Sequence, residues 1–383
     1  MMKKKLTWKR LVGQRHAKEM LAAALSGDAL GHAYLFCGDP GTGAFQAALE
    51  LSMALLCSND GEAPCYECEA CQKALRNAHP DFHVILPVCL EKEHKGADGK
   101  LSRDGWNFLS ESALKKIADP YGPFKHPGIP SIPVEWVKEV NHAVARGPVS
   151  AATAIVLIDG VDIMNKESAN AMLKTLEEPP PGTLIICITA RPHAVLSTIV
   201  SRCQTVRFGW APPDLIREAV GRRYGASVTE NIQADALRYC GGSLGRAFDL
   251  CENPPAQVAD EAKGLLEKCA NGDWLAIAAR VDALARGDYE SCEQLFLHLI
   301  YRIRSEFLQK IVPSTTYFDD GGVQSGGGEN RASSLCIAHP ETASRCMAIC
   351  QEALAGVRAY GNVSIILVNC LFSFMEIMHE QKQ

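Results

Sequence analysis

Net charge, long apolar runs and internal repetition are all scarce in this chain of 383 residues. The formal net charge is only -5, and a protein that holds nucleic acid by bulk electrostatics carries a strong basic excess or stripe. Any DNA contact should therefore run through a local patch or through partner chains. No apolar run reaches the roughly eighteen residues that a membrane span requires, so no membrane association is expected. The basic start MMKKKLTWKRLVGQ is followed by no long apolar stretch or small-residue cleavage site, and does not read as a secretory signal. No internal repeat is visible, which leaves nothing to suggest a repeat array. Cysteine, in contrast, is plentiful, with sixteen residues. Without an export signal these read as reduced thiols and metal ligands rather than a disulfide framework, and the cytoplasm is the expected compartment.

The length suggests two to three domains at roughly 150 residues each, and 47% hydrophobic residues suffice for several cores. The first half alternates short apolar runs with helical stretches, the pattern of a parallel α/β sheet. Strands are expected at Ala33 to Cys37, Phe82 to Leu86, Ala154 to Ile158, Leu184 to Thr189 and Gln204 to Phe208. Their continuous apolar character fits a sheet covered on both faces. Ala169, Met172, Leu173 and Leu176 recur at helical spacing, and Pro179, Pro180 and Pro181 stop that helix. Val88 to Pro133 reads as a loop-rich insertion. After Trp210 strand signals fade, leaving a small helical block to about Cys251 and a longer one to the C-terminus. Within the latter, Pro313 to Ser334 is too poor in apolar residues to fold alone.

Directly after the first expected strand comes Gly38-Asp39-Pro40-Gly41-Thr42-Gly43-Ala44-Phe45. Glycine spacing and strand-loop-helix context match the phosphate loop G-x-x-x-x-G-K-[ST]. Such a loop surrounds phosphates with backbone N–H groups and a helix N-terminus. Its lysine neutralises the β and γ oxygens, and its hydroxyl holds Mg²⁺. Here the lysine position is Ala44 and the hydroxyl position Phe45. A plain glycine-rich turn would share this pattern. The third strand supplies the second half of the signature. It ends in Ile158-Asp159-Gly160-Val161-Asp162, where an active site needs an Asp for Mg²⁺ and a Glu to polarise water. Asp159 is present, but Gly160 holds the Glu position, and Asp162 lies two residues further along. Loss of lysine, hydroxyl and glutamate together marks a site without turnover; ATP is not expected to be hydrolysed by this chain.

Cys57, Cys65, Cys68 and Cys71 form C-x7-C-x2-C-x2-C. Four thiolates at this density suit tetrahedral Zn²⁺ in a closed, structural site, with Zn–S near ~2.3 Å. An iron–sulfur cluster is the rival for such a set, and a redox dithiol needs fewer cysteines. Cys89, His79 and His83 are not needed as ligands, the histidines reading as residues that flank a strand.

Several segments resemble bacterial clamp-loader subunits of the AAA+ class. These are Leu11-Val12-Gly13-Gln14, His32 to Phe36, Asn170-Ala171-Met172-Leu173-Lys174-Thr175-Leu176-Glu177-Glu178-Pro179, Ser201-Arg202-Cys203, and Gly242-Ser243-Leu244-Gly245-Arg246. The likeness covers about residues 8 to 250 and implies an AAA+ core over 1–210 with a zinc module at 57–71, a helical lid over 211–254 and a helical collar domain over 255–383. With the lysine and the acidic pair lost but S-R-C intact, the pattern is similar to the delta-prime class of DNA polymerase III and differs from the hydrolysing gamma/tau class. The likeness implies partners of gamma/tau and delta type, with the β sliding clamp and primer–template DNA reached through the assembly. It also implies that Arg202 reaches the ATP of a neighbouring subunit. An arginine paired with a local carboxylate is the plainer reading of Arg202 without the family. Arg246 resembles a sensor-2 arginine, vestigial here. Three other functions stay open: an ATPase rewired through Asp159 and Asp162, a nucleic-acid module on the cysteine insert, which Tyr66 and several acids support poorly, and a structural paralogue that binds another AAA+ machine.

Overall fold

In the computed structural model, the described residues are 4–27, 30–96, 98–122, 129–253, 256–284, 292–300, 302–303, 340–358 and 361–380. The stretch 313–334, expected to lack structure of its own, lies outside them. Two units make up the chain: residues 1–227 with 242–249, and residues 228–241 with 250–383.

The first unit is built on five parallel strands, β1 (Ala33–Cys37), β2 (Phe82–Ile85), β3 (Ala154–Ile158), β4 (Thr183–Thr189) and β5 (Gln204–Arg207), in the order β2-β3-β4-β1-β5. This is the expected α/β core, with strand ends within a residue or two of those read from the sequence. Every residue of β3 and β4 is buried, whereas edge strand β5 exposes all but Val206. Apolar runs without alternation are what burial on both faces selects. A further two-residue parallel pair, Lys5–Leu6 with Glu62–Ala63, joins the N-terminal segment to the cysteine-rich stretch.

Because the strands are parallel, their carboxyl ends lie along one edge of the sheet, where ligand crevices of open α/β folds form. That edge carries the glycine loop after β1, Asp159 after β3 and Arg191 after β4. Helix α1 (Ala44–Leu56) opens directly from the loop and is buried along almost its whole length.

The insertion at 88–133 is loop-rich around one long helix. It holds α2, a 16-residue helix at Arg103–Ala118. Ser102 caps it by accepting from the N–H of Gly105 at 3.1 Å. Its buried face is Gly105, Leu109, Ala113 and Ile117, a stripe at i and i+4 spacing made inconspicuous by small residues and by the glycines and prolines on either side. The residues expected as a lid, 211–254, are shared between the two units. Residues 242–249 join the first because they pack on the glycine loop. The second unit is helical among its described residues, with helices such as Ala256–Asn271, Trp274–Leu284, Pro340–Arg358 and Val363–Glu380 around a core including Leu266, Phe296, Leu371 and Phe374.

Candidate nucleotide crevice and metal centre

Gly38 to Gly43 form a tight turn into α1, whose N-cap Gly43 has φ 106°, a left-handed conformation in which glycine has no steric cost. Thr42 turns its hydroxyl inward, donating to the carbonyl of Asp39 at 2.6 Å. Ala44 and Phe45 are buried against the core. Loop geometry is therefore kept, while the positions for cation and metal ligand point apolar groups inward.

The helix Leu244–Glu252 starts on this loop. Ser243 donates from its hydroxyl to the carbonyl of Pro40 at 2.9 Å, and the N–H of Gly245 donates to the carbonyl of Gly41 at 3.0 Å. A methyl group on Gly245 would run into the carbonyl of Tyr121 and the backbone of Gly41. The approach is thus possible only for glycine. Arg246, at the next position, lies on the first turn of the same helix.

At the end of β3 burial pushes the carboxyl of Asp159 up, against the opposing pull of the Lys116 ammonium. Lys116 comes from α2 and is itself held down by burial, with Asp159 and Asp119 acting in the other direction. Neither Lys116 nor Tyr121 stands in any motif, and the sequence reading missed both. Asp162, the candidate for a rewired site, is engaged elsewhere: it accepts from Thr189 Oγ1 at 2.7 Å and from Arg191 Nε at 2.8 Å. Both its carboxylate oxygens are committed to that pair, which opposes a role in polarising water.

Arg202 follows the short helix Ser197–Val200. Its guanidinium pairs with Glu177 at 2.7 Å and donates to the carbonyl of Thr198 at 2.9 Å. The local partner expected for an ordinary loop arginine is present. The pair is 34% and 49% exposed, and such pairs contribute about 0–1 kcal/mol, so the contact is easily exchanged for a stronger anion.

The metal-ligand set assembles as its spacing predicts. Single sulfur atoms of Cys57, Cys65, Cys68 and Cys71 all lie within 4.8 Å of one another. Cys57 and Cys68 are 3.8 Å apart, Cys65 and Cys71 3.9 Å; four sulfurs at ~2.3 Å from one ion form a tetrahedron with edges of about 3.8 Å. Backbone N–H groups of Glu67 and Cys68 donate to the sulfur of Cys65, and that of Cys71 to Cys68. At Cys68 burial works against the thiolate, yet hydrogen bonds from Ser58 and from the backbone of Cys71 hold the thiol down at about 6, while burial raises Cys57 and Cys71. Thiols so close ionise together only around a cation. Cys89, His79 and His83 stand outside the set; His79 instead accepts from the N–H of Asp81 at 3.1 Å.

One buried carboxylate links this module to the loop helix. Glu50 of α1, wholly buried, accepts from the N–H groups of Lys9 at 3.1 Å and Arg10 at 2.7 Å and from the Tyr66 hydroxyl at 2.6 Å.

A parallel α/β core with a glycine loop after its first strand, joined to a tetrathiol module and followed by helices, is the architecture expected of the AAA+ class that the sequence resembles. The family described as DNA polymerase III, delta subunit, matches residues 13–211, and the chain belongs to that family. It is similar to DNA polymerase III subunit delta' of Bacillus subtilis, 28% identical over 56% of this chain and 53% of that protein. The delta' subunit of Haemophilus influenzae is 28% identical over 62% and 59%. Subunit tau of Bacillus subtilis is 28% identical over 61% of this chain and 33% of the relative. The chain thus spans between a third and three fifths of these relatives' lengths. Among the described residues, no helix is long and apolar enough to cross a membrane.

Proposed function

We propose that the chain is a non-hydrolysing subunit of a DNA polymerase III clamp loader, supplying Arg202 to the ATP site of a neighbouring gamma/tau subunit while the β sliding clamp is loaded onto primed DNA. The observation that carries this reading is the asymmetry between two places in one unit. Ala44, Phe45 and Gly160 stand where hydrolysis needs a lysine, a hydroxyl and a glutamate, and Asp162 is tied to Arg191 and Thr189. The S-R-C arginine, by contrast, sits near the surface in a weak ion pair. A triphosphate offers Arg202 more charge than Glu177 does, and an arginine supplied in trans accelerates phosphoryl transfer by roughly 10³ to 10⁵ in GTPase systems. The four cysteines hold a structural zinc ion, closed to substrate. DNA and clamp are met through the assembly with gamma/tau and delta, in keeping with the small net charge.

The test is clamp- and DNA-stimulated ATP hydrolysis by a loader reconstituted with gamma/tau and delta. Arg202→Ala should lower steady-state hydrolysis severalfold, with single-turnover measurement showing the loss at one site. Glu177→Ala, which only frees the arginine, should leave the rate intact. Unchanged hydrolysis with Arg202→Ala, in an assembly of normal composition, would sink the reading.

A further inference from the structure

A nucleotide in a crevice of this kind is enclosed from four sides: the glycine loop, the N-terminal segment Arg10–Val12, the acidic strand end, and the helix Leu244–Glu252. All four are present: the loop, the N-terminal segment and the helix touch one piece of this chain's own insertion, and the strand end feels its charge. Tyr121, in the turn after α2, lies against the loop: a methyl group on Gly43 would be 3.2 Å from its Cε1 and 3.4 Å from its hydroxyl oxygen. That hydroxyl accepts from the N–H of Val12 at 2.9 Å and donates to the carbonyl of Arg10 at 3.2 Å. The carbonyl of Tyr121 abuts Gly245, and its ring meets Phe248 edge-on with centroids 6.0 Å apart.

Lys116 completes the arrangement. Its ammonium lies 5.2 Å from the centroid of Phe45, the residue at the lost hydroxyl position, and donates to the carbonyl of Gly122 at 2.8 Å. It acts on Asp159 electrostatically. The turn is anchored once more by Arg223, which donates to Asp119 at 3.0 Å. A phosphate-binding crevice gathers negative charge against backbone N–H groups and needs a cation beside the acidic strand end. Here the amine of Lys116 lies over the ring at the lost hydroxyl position, delivered by a helix far from the loop in sequence.

We propose that the end of α2 and the turn Asp119–Gly122 are a built-in occupant of the degenerate nucleotide crevice, with Lys116 supplying the positive charge that the loop has lost and Tyr121 filling the space between Gly43 and Arg10–Val12. The loss of the loop lysine and the arrival of the insertion are then one change: the crevice has become part of the core. Mutating the loop back alone does not reopen it, because the room is taken. This rests on the reading of the crevice as nucleotide-free and is independent of what Arg202 does.

The test is a titration of the full chain with a fluorescent ATP analogue and Mg²⁺. Four proteins are compared: the unaltered chain, Ala44→Lys/Phe45→Thr, Lys116→Ala/Tyr121→Ala, and all four substitutions together. Only the fourfold variant should bind, at least tenfold more tightly than Ala44→Lys/Phe45→Thr. Equal binding by those two, or binding by the unaltered chain, overturns the proposal. Should the fourfold variant not fold, amide exchange of Val12 decides. Its N–H should be protected in the unaltered chain, exchange at least tenfold faster in Tyr121→Phe, and respond to Mg-ATP in neither; an unprotected Val12 overturns the proposal as well. Binding without hydrolysis by the unaltered chain would remove this inference alone, whereas turnover would remove the non-hydrolysing reading too.

Discussion

The cysteine module and the glycine-loop crevice lie at opposite ends of one helix, α1, and are built in opposite ways. The module's ligands fall within fifteen residues, and their spacing alone brings single sulfurs to within 4.8 Å. The crevice draws on Val12, Gly43, Lys116, Tyr121, Asp159 and Gly245, scattered over more than half the chain. A local ligand set keeps its chemistry wherever the fold carries it. A site assembled from distant segments can keep its outline and have its contents replaced, without any single segment announcing it.

Removing the metal should separate the two regions most sharply. Structural zinc contributes about 10–16 kcal/mol in small finger peptides, and a module with so little core of its own depends on it. One zinc per chain is expected by elemental analysis. Chelation or Cys68→Ser should unfold residues 57–75, seen as loss of amide protection there, and lower the melting temperature by many degrees, while strands β1, β3 and β4 stay protected. An iron signature, or a metal-free chain that melts unchanged, would reverse the assignment.

Glu50 is where the two regions communicate, so a smaller effect is expected there but on both sides. Glu50→Ala leaves two backbone N–H groups and the Tyr66 hydroxyl without their acceptor, at a cost of about 2–4 kcal/mol from buried unsatisfied donors. Denaturant unfolding should report that loss, and exchange should quicken at Lys9 and Arg10 as well as in the cysteine stretch. Exchange confined to one region would show that the helix does not couple them.

Asp81, which belongs to neither region, calibrates the comparison. It is buried and accepts from the N–H groups of Val149, Ser150 and Ala151 at 2.6–2.7 Å. Burial opposes its charge, but these bonds outweigh it and hold its carboxyl below the usual range. A depressed carboxyl stabilises above its unfolded value of about 3.9 and loses that contribution as pH falls through the folded value. Asp81→Asn should therefore cost about 1–2 kcal/mol near neutral pH, with the gap to the unaltered chain narrowing below about pH 4. A gap independent of pH would mean the bonds are not made to a carboxylate.

Much of the first unit was legible because buried parallel strands leave continuous apolar runs. Ala33 to Cys37 and Ala154 to Ile158 were placed to the residue, and the helix ending before Pro179 stops at Glu177. The helix Arg103–Ala118 was not placed, although Ser102 and the stripe Leu109, Ala113, Ile117 carried the signal. Small residues weaken that stripe, and the glycines and prolines beyond it dominate the composition of the stretch. Arg191 was likewise invisible, since its pairing with Asp162 joins the ends of two strands that neither sequence window contains.

By itself the sequence determined the strand-loop-helix core, the four-thiol ligand set, and the absence of lysine, hydroxyl and glutamate from the crevice. Each of these is a property of residue type at short spacing. Only the tertiary structure decided what stands in that crevice and what holds Arg202 at rest. Lys116 reaches Phe45 and Tyr121 reaches Val12 because the parallel sheet gathers its carboxyl ends along one edge, and no local spacing records which distant side chain will fill the room left there.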